Sequence, residues 1–86
     1  MDDYLRFKVE IDSRDLAAFL GALPIPPEAF RPGTCGFLGS DEGYWDPQRA
    51  PRLCAGQKML SDHRVLNVGV SEAGNVAALY IVNHGT

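Results

Sequence analysis

No hydrophobic run in this chain approaches the roughly 20 residues of a membrane-spanning helix. Its opening, Met-Asp-Asp-Tyr, lacks the basic-then-apolar layout of a signal peptide. As written the chain reads as cytoplasmic; one trimmed of a signal peptide or lipid anchor would look the same and be extracytoplasmic. Charge of one sign is also scarce. Eight Lys and Arg stand against eleven Asp and Glu, for a net charge of −3. The densest basic stretch, Arg49, Arg52, Lys58 and Arg64, is diluted by Asp46 and Asp62 and reads as a solvated face. That excludes the concentrated basic surface on which nucleic-acid binders depend, and no acidic run mimics a nucleic acid.

Metal ligands are equally sparse. Cys35, Cys54, His63 and His84 lie 19, 9 and 21 residues apart, without the close Cys–Cys or His–His pairs of structural zinc sites. Asp41, Glu42 and Asp46 lack the alternate spacing of a calcium loop. The glycines at 33, 36, 39 and 43 are followed by no Gly-Lys-Ser or Gly-Lys-Thr, so they read as turn positions and not as a phosphate cradle. Cys35 with Asp62 and His63 meets the bare inventory of thiol catalysis, as do most chains with one Cys and one His. With 86 residues there is little room for a substrate pocket. The expectation is a protein with no metal, no cofactor and no catalytic residues.

What is present is one small domain spanning residues 1–86. Residues 4–11 alternate, with Leu5, Phe7, Val9 and Ile11 on one side and Tyr4, Arg6, Lys8 and Glu10 on the other. This is the period of a strand with one face on a core and the other in water. A helix is expected over 13–23. Asp12 or Ser13 caps it, Leu16, Phe19, Leu20 and Leu23 form one apolar stripe, and Pro24 stops it. Gly21 marks close packing on the sheet or the fraying end of the helix. Near the C-terminus, 64–70 and 76–82 are rich in Val, Leu, Ile and Tyr, and Ser71–Asn75 joins them as a hairpin. The second of these strands is apolar on both faces, which places it centrally with the first strand beside it.

Between them, residues 24–60 form an irregular excursion holding all six prolines. Its aromatic content argues against disorder. A helical turn near Pro27–Phe30 is expected, and residues 52–60 suit a short helix or an irregular strand. The fold class is therefore α+β: a small antiparallel sheet of about three strands, ordered β-α-loop-β-β, with one helix on one face and a long Pro/Gly-rich excursion.

Two features of the excursion stand out. Cys35 and Cys54 bracket its least regular part; a disulfide there would stabilise by about 3 kcal/mol on the chain-entropy model, the alternative being two free thiols. The cluster Gly43-Tyr44-Trp45-Asp46-Pro47 places the only tryptophan beside a tyrosine in a loop, the kind of segment that carries binding hot spots. The competing reading folds Trp45 back as the plug of a satellite core, with Asp46-Pro47 as a turn.

The strand Leu-Arg-Phe-Lys-Val, the helix Asp-Leu-Ala-Ala-Phe-Leu, the mid-chain Trp-Asp-Pro and the final Leu-Tyr-Ile-Val together resemble the layout of small bacterial extracytoplasmic and lipoprotein-type domains. The resemblance covers about half the chain and implies no catalytic or binding residue; what it implies is a bridged Cys35 and Cys54.

The functional expectation is a non-enzymatic protein-interaction module, of the inhibitor or immunity type. Its surface centres on Tyr44 and Trp45, with Asp41, Glu42 and Asp46 beside them and Arg49 at the rim. The alternative is a structural extracytoplasmic domain stabilised by a disulfide. The expected partner is a protein, and an exposed strand edge also permits homodimerisation.

Overall fold

The computed structural model describes residues 4–32, 38, 41–60 and 63–85. Its frame is a five-stranded antiparallel sheet in the order β1-β5-β4-β3-β2. The strands are β1 (Tyr4–Asp12), β2 (Arg31–Pro32), β3 (Cys54–Met59), β4 (Arg64–Ala73) and β5 (Val76–Gly85), and a single short helix, α1, spans Leu16–Gly21. This corrects the three-stranded expectation. The first strand and the hairpin are where the alternation places them, with β5 between β1 and β4, but the excursion contributes two further strands.

β3 falls within residues 52–60, which suit a short helix or an irregular strand, and its small residues are why the sequence does not decide between the two. Ala55 and Gly56 occupy the inward positions on the two faces, so no large apolar side chain marks the period of two. Gly56 is small because the other chain segment comes close. A Cβ there would stand 3.2 Å from Ile25 Cγ2 and 3.3 Å from the Phe30 ring. β2 is only two residues long and ends in Pro32, which an edge strand tolerates.

The helix is shorter than the expected 13–23. Asp12 caps not an α-helix but a 3₁₀ turn, Ser13–Asp15, accepting a hydrogen bond from the Arg14 amide at 2.9 Å. After Gly21 the amides of Ala22 and Leu23 bond three residues back, to Phe19 and Leu20, and the helix tightens to its end before Pro24. Nothing lies within 4 Å of the position a Gly21 Cβ would take, so this glycine marks the helix end and not a close approach. β4 runs three residues longer at the turn than the sequence suggests, and β5, starting at Val76 as expected, runs three residues longer at its far end. Ser71, Glu72 and Ala73 stay in the ladder, and Gly74-Asn75 alone makes the connection, with Gly74 at φ +64°.

Both faces of the sheet are covered, which explains why β5 is apolar throughout. On one face Val68, Val70, Leu79 and Ile81 pack beneath Leu16, Phe19, Leu20 and Leu23 of the helix stripe, together with Ile25 and Phe30. On the other, Ala55, Tyr80 and Val82 meet Leu38, Trp45 and Leu53 from the excursion. The excursion is thus a second layer of the domain, not a loop hung from its side.

β1 departs from its expected faces. Arg6 and Lys8, expected in water, have side chains only 27% and 18% exposed, whereas Leu5 is 54% exposed and Phe7 37%. The helix covers the Ile11 end of the strand and leaves Leu5 and Phe7 open, while the excursion closes over the basic side.

Candidate functional site

The turn that carries the aromatic pair is built from its backbone outward. Glu42 and Trp45 exchange reciprocal bonds, with the Glu42 amide donating to the Trp45 carbonyl at 2.6 Å and the Trp45 amide to the Glu42 carbonyl at 3.0 Å. Gly43 and Tyr44 form the tip. Gly43 sits at φ +60°, which only glycine adopts without strain at this first central position. Asp41 closes the segment behind the turn, accepting from the Gln48 amide at 2.7 Å and from Arg49 Nε at 3.1 Å.

Alternation across the tip sends the two aromatic side chains opposite ways. Trp45 is completely buried: its indole N–H donates to the Leu38 carbonyl at 2.8 Å, and its ring meets Tyr80 edge-on with centroids 5.3 Å apart. The Arg6 guanidinium lies 5.0 Å from the Trp45 ring centre. Tyr44 is 64% exposed. Of the residues the sequence assigns to one surface, Tyr44, Glu42 and Arg49 are therefore outward. Asp41 and Asp46 are turned inward to partners, and Trp45 is the plug of the second core.

Two side chains from β1 fasten the segment down. Arg6 pairs with Glu42 at 3.0 Å. Lys8 Nζ donates to the Tyr44 carbonyl at 3.3 Å and pairs with Asp46 at 3.2 Å. The same Asp46 oxygen accepts the Tyr80 hydroxyl at 2.6 Å. Lys8, Asp46 and Tyr80 line a shallow pocket of about 200 Å³ together with Glu10, Arg49 and Ser71.

The electrostatics follow from the contacts. The Tyr80 hydrogen bond, helped by Lys8 and opposed by burial, holds the Asp46 carboxyl below its ordinary range. Burial, then the bond to the Asp46 carboxylate and its charge, push the Tyr80 phenol up. Asp46 is thus an anion and Tyr80 a neutral donor across the neutral range, and neither is poised to exchange a proton there. The Ser71 hydroxyl is spent on the Pro51 carbonyl at 2.6 Å. Among the described residues no buried side-chain nitrogen or oxygen lacks a partner, and no group of three or more His, Cys, Asp or Glu is placed to hold a metal. No helix among them is long and apolar enough to cross a membrane.

Arg6, Lys8 and Tyr80 were not legible as part of this site. The one available signal was complementarity of charge: Arg6 and Lys8 on the first strand match Glu42 and Asp46 in the excursion. Of the disulfide candidates, Cys54 is a half-buried free thiol on β3, and Cys35 lies outside the described residues. Of the thiol-catalysis inventory, Asp62 lies outside them as well.

Comparison with protein-family models, with curated proteins and with solved structures finds no match. The fold and the geometry of the turn are what bear on function.

Proposed function

We propose that this protein is a small non-enzymatic interaction module that presents Tyr44, between Glu42 and Arg49, to a protein partner. The observation that carries the reading is the contrast within one dipeptide: Trp45 is fully buried and Tyr44 is 64% exposed. The buried indole, the reciprocal Glu42–Trp45 bonds and the Lys8 contact to the Tyr44 carbonyl fix the backbone on which Tyr44 stands. An aromatic held this way loses little freedom on binding, which is how rigid paratopes gain affinity. Glu42 and Arg49, with side chains 78% and 72% exposed, supply opposite charges at the rim. An inhibitor or immunity-type protein suits the size, the acidic balance and the small volume of the pocket.

The test compares the wild-type full chain with Tyr44→Ala, each immobilised, in quantitative capture from the cells that make it, alongside thermal melts of both. The expected result is a specific protein whose retention falls at least about tenfold with Tyr44→Ala while the melting temperature stays put, since a hot-spot tyrosine is worth 2 kcal/mol or more. Identical captured sets for the two chains would overturn the reading.

A further inference from the structure

We infer that β1 pairs antiparallel with β1 of a second copy, centred on Val9, joining two sheets across a two-fold axis.

The inference begins with the direction of the backbone groups. The β1–β5 register runs Tyr4↔His84 to Asp12↔Val76, and the Ser13 amide continues it by donating to the Asn75 carbonyl at 2.8 Å. In an antiparallel ladder alternate residues turn both amide and carbonyl to the same neighbour. The parity set by Ser13 therefore points Phe7, Val9 and Ile11 at β5. Lys8, Glu10 and Asp12 point the other way, where no strand lies among the described residues. The opposite edge of the sheet is the two-residue β2 with Pro32, which is blunt. β1 is the long open edge.

Charged side chains on an edge strand ordinarily defeat pairing. Here their order makes the strand self-complementary in one register. Along one side β1 reads Arg6, Lys8, Glu10, Asp12: two cations, then two anions. Centring the pair on Val9 sets Lys8 against Glu10 and Arg6 against Asp12 of the second copy, and the two-fold repeats both contacts. All of these residues carry the outward parity, so the same register satisfies the backbone. Every neighbouring register sets at least one pair of like charges directly opposite. A centre at Lys8 or Glu10 opposes that residue to itself, a centre at Phe7 opposes Arg6 to Lys8, and a centre at Ile11 opposes Glu10 to Asp12. Like charges directly opposite are destabilising and opposite charges stabilising.

The other face of the strand favours the same register. Leu5 and Phe7 are the open apolar residues of β1, at 54% and 37% exposure, and pairing about Val9 sets Phe7 beside Ile11 and Val9 beside Val9 of the second copy. The partner's strand end thereby covers apolar surface that its own helix leaves bare. Because the axis stands perpendicular to the sheet, both Tyr44 turns lie on the same face of the joined sheet.

The register is testable by cross-linking. Val9 and its mate form a non-hydrogen-bonded pair, in which Cα atoms lie about 4.5 Å apart, within the span a disulfide requires. In full-length chain carrying Cys35→Ser and Cys54→Ser, Val9→Cys is expected to oxidise to a covalent dimer, and Phe7→Cys, opposed to Ile11, is expected to do so far more slowly. In sedimentation of the unmodified chain over a concentration series, a reversible dimer is expected. Glu10→Lys, an exposed position, should weaken it at least about tenfold by setting Lys8 against a lysine at both contacts. Glu10→Pro removes an outward amide without touching the β5 ladder and should dissociate it too. A wild-type chain that stays monomeric up to millimolar concentration, a dimer indifferent to both Glu10 variants, or equal cross-linking at positions 7 and 9 would each overturn the proposal.

Discussion

Tyr80 donates its hydroxyl hydrogen to Asp46 across 2.6 Å, joining the central strand β5 to the excursion that covers it. Lys8 reaches the same carboxylate oxygen from β1 at 3.2 Å, so one anion ties two strands and the loop together. The bond has a consequence at alkaline pH. An unfolded tyrosine ionises near pH 10, whereas burial and the adjacent carboxylate push the folded Tyr80 phenol up. A pKa raised in the folded state contributes stability that is fully present below the unfolded value and is lost as pH rises through the folded one. Stability should hold to about pH 10 and fall above it. Tyr80→Phe should cost about 1–2 kcal/mol at neutral pH, the worth of a bond to a partly screened anion, and flatten that alkaline decline. Urea unfolding across a pH series reads both effects.

Asp46 supplies the matching prediction at the acid end. Its carboxyl is held down chiefly by the Tyr80 hydroxyl and then by Lys8. A pKa lowered in the folded state contributes stability that is present above the unfolded value, about 3.9, and is lost as pH falls through the folded one. Asp46→Asn should therefore be less stable than wild type at pH 6, with the gap closing progressively below about pH 4. Chemical denaturation at a few pH values distinguishes this from a uniform loss, which would show that the aspartate acts through packing alone.

Trp45 anchors the second core, and its removal should be felt throughout the domain. Its side chain is wholly buried against Tyr80, Leu38 and Arg6. Trp45→Ala should cost about 3–5 kcal/mol, the range for truncating a large buried aromatic. Trp45→Phe keeps much of the volume but leaves the Leu38 carbonyl without its indole donor, and should cost less. Equilibrium unfolding by circular dichroism measures both, since each variant lacks the only tryptophan fluorophore.

What the sequence made legible, and what it hid, follow one physical division. β1 and the hairpin were readable because large apolar residues alternate there with polar or equally apolar ones, and the stripe Leu16, Phe19, Leu20 and Leu23 does face the sheet. β3 stayed open between short helix and irregular strand because Gly56 leaves room for Ile25 and Phe30 while Ala55 packs in the Trp45 core, and small residues carry no periodic signal. The site was half visible. Trp45 and Tyr44 drew attention as a pair, yet only the three-dimensional turn assigns one inward and the other outward. Arg6 and Lys8 were read as solvated because charge on an alternating strand normally faces water; here it faces the carboxylates of a distant segment. Complementary charge between remote segments is visible in sequence only after the fold has paired them.

Gly69 shows how closely the excursion is seated, and it yields the sharpest packing prediction. A Cβ at this position on β4 would stand 2.7 Å from Leu38 Cδ1 and 3.4 Å from Leu53 Cδ1. The first distance is a clash, and Leu38, only 1% exposed, has little free space into which to swing. Gly69→Ala should thus cost about 1–3 kcal/mol, as overpacked cores do. If the Leu38 contact is the cause, the effect must be non-additive. Leu38→Ala alone opens a cavity and destabilises, but in its presence the Gly69→Ala penalty should shrink or vanish. A double-mutant cycle by urea denaturation measures that coupling. Additive losses in the cycle would locate the strain of Gly69→Ala in the strand backbone instead of at the seat of the plug.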